Sequence, residues 1–151
     1  MDSQIKHRTF VFERVCNAEI SRVFAALADP VERASWSAPS DTAAFIYDVV
    51  DFREGGEDAF RCGSKENPQF TGLTTYIAIQ PDTLITSSEV VTSGGRKLMA
   101  SLITTQLAQE GKTTRLLMTV QVTSFCSDDM LHGTETGNNA SLDNLVTHFA
   151  N

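Results

Sequence analysis

Two periodicities divide the chain. Near the N-terminus, Thr9 to Val15 reads TFVFERV, with Thr9, Val11, Glu13 and Val15 alternating against Phe10, Phe12 and Arg14. That alternation, with its β-branched and aromatic content, predicts a strand. A helical period follows at once. In NAEISRVFAALADP, Ile20, Val23, Phe24 and Leu27 recur at spacings of three and four and make one apolar stripe. Asn17 is placed as its N-cap, and Glu19 and Arg22 can pair across a turn. Asp29-Pro30 ends it, because the residue before proline is pushed out of the α region. Pro30 suits the first turn of a second short helix, PVERASW, which Pro39 stops.

From Thr42 the period returns to two. TAAFIYDVVDF predicts a strand, Gly55-Gly56 supply positive φ for a turn, and EDAFRC resumes antiparallel. A two-stranded hairpin is not stable alone. Four further runs follow, TGLTTYIAI, TLITSSEVV, KLMASLITTQLAQ and RLLMTVQVTSF, separated by Pro81-Asp82, Ser93-Gly94-Gly95 and Glu110-Gly111-Lys112. Short connections predict an antiparallel meander. In the last strand Leu116, Met118, Val120 and Val122 share one face, which predicts that this face is buried against a helix.

Ser127 to Phe149 predicts that closing helix, capped by Ser127 or Asp128. Leu142, Leu145, Val146 and Phe149 give its second half a strong stripe. Its first half, LHGTETGNNA, is polar and holds two glycines, each costing ~1 kcal/mol against alanine in a helix. Either this part is a loop or frayed turn, or its small residues leave a void above the sheet. Such a void would be a ligand pocket, expected at roughly 300–1,000 Å³. Phe45, Tyr76 and Met118 would floor it, Trp36 would lie near its rim, and Gly137 would face it.

Composition narrows the function classes. A chain of 151 residues argues for one domain spanning 1–151. Its net charge of −7, with scattered Lys and Arg, argues against nucleic-acid binding. No apolar run approaches the ~20 residues of a membrane helix, so no membrane insertion is expected, and MDSQIKHRTFVFERV has no signal-peptide pattern. Cys16, Cys62 and Cys126 are widely spaced and read as reduced thiols of a cytoplasmic protein. His7, His132 and His148 fit no metal-ligand spacing, and neither Gly-Gly pair opens a helix as a phosphate loop does. No metal and no cofactor are expected.

The order of strand, two helices, six strands and long helix is that of a helix-grip α+β fold, a curved antiparallel sheet of about seven strands around a C-terminal helix. The words VFERVCNAEISRVFAALADPVERASW, DFREGG and KLMASLITTQLAQEGKTTRLLMTVQ, in that order, resemble the SRPBCC (START-like) superfamily. Within it they resemble proteins related to the activator of heat-shock-protein-90 ATPase. The resemblance spans about Phe10 to Phe149 and implies relatives that are ligand carriers, polyketide cyclases and co-chaperone domains. Thr119-Val120-Gln121 lacks the acid of the family's Thr-Glu-Gln, and HGTETGNNA keeps Gly137 but has no arginine.

Candidate chemistry therefore centres on a cavity lining. Trp36, Phe45, Tyr47, Phe60, Tyr76, Met99, Met118, Val120 and Gly137 are the candidate ligand contacts. Methionine suits an adaptable pocket, and Tyr47 and Tyr76 can offer hydroxyls. His132, early in the last helix, is the candidate acid or base. Arg53 and Glu54 read as an exposed pair, and Asp51 and Arg61 can meet across the hairpin. The leading expectation is a domain that binds a hydrophobic small molecule. A cyclase- or hydratase-like enzyme and a chaperone-modulating module are the alternatives. A homodimer and a chaperone partner stay open.

Overall fold

A computed structural model describes residues 5–38 and 40–150. Pro39, expected to stop the second helix, lies outside the described residues, as do residues 1–4 of the N-terminal stretch.

Strand β1 (Lys6–Cys16) is followed by helices α1 (Ile20–Ala28) and α2 (Pro30–Ser37). Six strands come next: β2 (Ala43–Val49), β3 (Glu57–Ser64), β4 (Phe70–Gln80), β5 (Leu84–Ser93), β6 (Arg96–Glu110) and β7 (Thr113–Ser124). Helix α3 (Asp128–Phe149) closes the chain. The strands form one antiparallel sheet in the order β1-β7-β6-β5-β4-β3-β2. The meander from β2 to β7 therefore pairs each strand with its successor, and β1 returns to close beside β7. Register shifts in the β2–β3, β4–β5 and β5–β6 ladders bend the sheet. This is the helix-grip arrangement that the sequence implies. Among the described residues no helix is long and apolar enough to cross a membrane.

The core lies between α3 and the β1–β7 half of the sheet. Phe10, Phe12 and Cys16 from β1 and Leu116, Val120 and Val122 from β7 are buried there with Leu142, Leu145 and Phe149. The expected β7 register holds. Leu131, Thr134, Leu142, Leu145 and Phe149 are the buried residues of α3, so one stripe runs its whole length. The helix begins at Asp128, and the loop reading of LHGTETGNNA is wrong. The Ser127 hydroxyl accepts from the Asp129 N–H, and Asp128 and Asp129 suit the positive end of the helix dipole. Burial of Leu131 and Thr134 helps offset the helix cost of Gly133 and Gly137.

Several local expectations are corrected. The N-cap of α1 is Glu19, not Asn17, because β1 continues to Cys16 and places Asn17 in the bend that follows. The Ile20 N–H is instead satisfied by Gln109 Oε1 on β6, at 2.8 Å. Arg22 reaches Glu32 on α2, at 2.5 Å, rather than Glu19. Strand β2 ends at Val49 rather than Phe52, because the Asp51 N–H turns to Asp58 Oδ1 instead of a ladder partner. Arg61 pairs with Asp48 and Arg53 with Asp51, while Glu54 accepts from the Ile79 N–H.

The two glycines of the β2–β3 turn do different jobs. Gly55 has φ +82, which favours glycine, whereas Gly56 is not in the left-handed region. A Cβ on Gly56 would lie 2.2 Å from the Asp51 carbonyl oxygen, so it is close approach that requires glycine there. The turn is tied to β4 by Gly55 N–H to Tyr76 O and Tyr76 N–H to Gly56 O, at 2.8 and 3.0 Å.

Candidate functional site

Helix α2 begins with Pro30 at its first position, and the Asp29 side chain accepts from the Val31 N–H. Its inner face is then set by helical spacing. Arg33, Trp36 and Ser37 stand at i, i+3 and i+4, and all three are buried. In β3, alternation puts Asp58, Phe60 and Cys62 on the inner face, and in β2 Phe45 and Tyr47 share it. Opposite them, α3 presents Met130, Gly133, Gly137 and Ser141 at spacings of three and four. Large side chains from the sheet thus face the small Gly133, Gly137 and Ser141 of the helix.

The result is a cavity of about 600 Å³ between the sheet, α2 and the N-terminal half of α3. Trp36, Phe45, Tyr47, Phe60, Tyr76, Met99, Met118, Val120 and Gly137 all line it, so all nine candidate contacts come together. Gly137 faces open space, since a Cβ built there would meet no atom within 4 Å. Trp36 is also a structural anchor, because its Nε1–H donates to Ala26 O at 3.0 Å. His132 is exposed and does not line the cavity, so its expected place as acid or base is corrected. His148 meets Glu32 at 2.7 Å and His7 meets Thr123 at 3.1 Å, both away from the cavity.

An aromatic wall forms the β2–β3 end. The Phe45 and Phe60 rings stack at 4.6 Å between centroids, and Phe45 and Tyr47 meet at 5.1 Å. Gly72 on β4 makes room for this wall. A Cβ there would lie 2.0 Å from Phe60 Cζ, so the Phe60 ring rests directly on the β4 backbone.

Beside the wall is a buried polar group. Arg33 Nη1 donates to Tyr76 Oη at 2.6 Å, and the Tyr76 hydroxyl donates to Asp58 Oδ2. Arg33 Nη2 is 2.9 Å from that same carboxylate, an ion-pair contact without hydrogen-bond alignment. Asp58 Oδ1 accepts from the Asp51 N–H at 3.0 Å. The guanidinium carbon lies 4.4 Å from the centre of the Tyr47 ring, a cation–π contact. Burial favours deprotonation of Arg33, but Tyr47, Tyr76 and Asp58 outweigh it and leave the group more firmly protonated. Burial also pushes the Tyr76 and Tyr47 hydroxyls up, against the pull of Arg33.

One acidic group stands apart. Glu89 on β5 lies between Thr74 of β4 and Ser101 of β6 and points into the cavity with them. Its surface opens to the cavity, yet it is deep within the fold, and among the described residues it has no ion-pair or hydrogen-bond partner. Burial raises its carboxyl to about 7. The Cys62 thiol is raised to about 11, first by burial and then by the Glu89 charge. Sequence reasoning missed Arg33, Asp58 and Glu89. Polar side chains do converge on the cavity, as the enzyme alternative requires. Three of them are committed to one another and Glu89 is free.

The comparisons with known proteins agree with this architecture. The family model described as Activator of Hsp90 ATPase homolog 1-like protein matches residues 17–150. Among solved structures, the Mll3558 protein from Rhizobium loti is 32% identical, with a TM-score of 0.83 over 96% of this chain and 99% of that one. A protein from Rhizobium leguminosarum is 28% identical, with a TM-score of 0.81 over 95% and 94%. A protein of the dynemicin biosynthetic locus, DynU16, shares the fold alone, at 12% identity and a TM-score of 0.67, over 93% of this chain and 46% of that one. No curated protein matches the chain. With the family model covering nearly all of it, the chain belongs to the Activator of Hsp90 ATPase homolog 1-like family, within the SRPBCC superfamily.

Proposed function

We propose that the protein is a ligand-binding domain that holds an apolar or aromatic small molecule between its sheet and C-terminal helix. One observation carries the reading: a cavity of about 600 Å³ lined mostly by aromatic, aliphatic and methionine side chains. Its size falls within the roughly 300–1,000 Å³ usual for small-molecule sites. An apolar molecule held in a cavity of this size would make the close contacts that packed protein interiors make. Met99, Met118 and Met130 in the lining can adjust to its shape. Arg33, Asp58 and Tyr76 are tied to one another by two hydrogen bonds and an ion-pair contact, which supports a structural polar wall rather than a reactive one. An open core favours this reading over a closed-core module that acts only through its surface.

Trp36 supplies the test, because it is the only tryptophan and it lines the cavity. Titration with Nile red, a neutral dye, should give one saturable site with blue-shifted dye emission. Trp36 emission should fall in step as its energy transfers to the dye. If the dye shows no saturable change up to its solubility and Trp36 emission stays constant, the reading is wrong.

A further inference from the structure

The Arg33–Asp58 pair balances its own charge, so it leaves Glu89 as the unbalanced acidic group on the cavity floor. A carboxylate in an apolar surrounding is strongly disfavoured unless a cation or hydrogen-bond donors reach it. The protein provides none among its described residues. Glu89 also stands next to the aromatic wall. It is one inward-facing row from Phe60, whose ring lies over Gly72 of β4, and its charge is felt by Tyr47 and Cys62. A free carboxylate beside aromatic faces is the chemistry that recognises an organic ammonium group: ion pairing on one side and cation–π contact on the other. The protein's overall acidity would also draw a cation towards it.

We propose that the cavity recognises an apolar or aromatic molecule bearing a protonated amine, whose ammonium group pairs with Glu89 while its body lies against Phe45, Tyr47 and Phe60. This rests on the ligand-binding reading. The other groups that face Glu89 do not compete for the role. Asp58 on β3 is held by Arg33 and Tyr76. Arg33 on α2 is held by Asp58, and β6 offers only the neutral Ser101 at this row. Cys62 on β3, Tyr47 on β2 and Tyr76 on β4 stay neutral near pH 7, since each has its acidity weakened by burial. Asp129 on α3 is the remaining acidic lining residue, at the start of the helix.

The sign of the pH dependence follows. An ammonium ligand needs ionised Glu89, whose carboxyl is raised by burial to about 7. Affinity should therefore be highest above pH 7 and fall by up to about tenfold per unit as the pH drops below it. A neutral ligand should show no such fall.

The experiment compares 1-naphthylmethylamine, a primary ammonium across pH 5.5–8, with its neutral counterpart 1-naphthylmethanol. Binding is followed by Trp36 fluorescence and calorimetry. Wild type at pH 8 should prefer the amine by about tenfold or more. The isosteric Glu89→Gln should lose that preference, binding amine and alcohol within about twofold of each other. The wild-type pH profile gives a second measurement that needs no variant. If the alcohol binds as well as the amine, or Glu89→Gln keeps the preference, the amine inference fails while the ligand-binding reading stands. If neither probe binds wild type, both fail.

Discussion

Asp58→Ala should destabilise the protein by about 3–5 kcal/mol, the usual cost of removing one partner from a buried ion pair. For a chain of this length that corresponds to a melting temperature lower by on the order of 10 °C. Asp58 is 1% exposed and gathers three groups: the Arg33 guanidinium, the Tyr76 hydroxyl and the Asp51 N–H. Truncation leaves a buried cation, a buried hydroxyl and a turn N–H without their acceptor. The same carboxylate links α2, β3, β4 and the β2–β3 turn, so the loss should reach the turn and the cavity wall together. Charge and packing can be separated by a double-mutant cycle. Arg33→Met with Asp58→Leu removes both charges, and its cost should be well below the sum of the single changes. Urea denaturation of the four proteins measures this. A loss under about 1 kcal/mol for Asp58→Ala would mean that the polar group contributes little to the fold.

Gly137→Leu should have the opposite signature: weaker ligand binding with no loss of stability. The added side chain enters open space, because nothing lies within 4 Å of its Cβ position. Leucine is also the better helix former, by close to 1 kcal/mol in a helix interior. The leucine would occupy volume facing Met118 and the aromatic wall. Nile red affinity should drop by about tenfold or more, equivalent to 1.4 kcal/mol, while the denaturation midpoint is unchanged or higher. A variant that unfolds, or one that binds the dye like wild type, would place Gly137 away from usable space. The paired outcome matters because general loosening would increase dye binding rather than abolish it.

Much of this arrangement was legible in the sequence because strong periodicities left few choices. The alternation of β7 alone puts Leu116, Met118, Val120 and Val122 on one face, and a one-residue slip would have exposed all four. The contrast between LHGTETGNNA and the leucine-rich turns of α3 pointed to space above the sheet, and Gly133 and Gly137 both border it. The polar residues of the site were harder to find. Asp58 shares a face with Phe60 by simple alternation, and Arg33 stands three residues before Trp36, so a signal was present for both. An acidic or basic residue is ordinarily solvated, and nothing local says that these two meet across 24 intervening positions of chain. Glu89 was less visible still. Ile85, Ser87, Glu89 and Val91 face inward, but Val90 gives the outer face apolar character too. The strand's own pattern therefore does not choose between faces, and the pairing with β4 and β6 does. The cap and ion pair misplaced at Asn17 and Glu19 depend on partners from other elements, whereas Asp51 pairs with Arg53 two residues on and leaves Arg61 to Asp48.

The central claim, that the space between sheet and C-terminal helix is a binding site, is tested most directly by methyl NMR. Met99, Met118 and Met130 line the cavity from β6, β7 and α3, whereas Val11 and Val31 are exposed, at 63% and 80%. In the protein labelled at methionine and valine methyl groups, titration with 1-naphthylmethanol should shift all three methionine signals with one common saturation curve. The ring currents of an aromatic ligand should make those shifts large, and the Val11 and Val31 signals should stay in place. Methionine signals that do not move while exposed valines do would mean that the molecule meets apolar ligands at its surface and that the cavity is not a binding site.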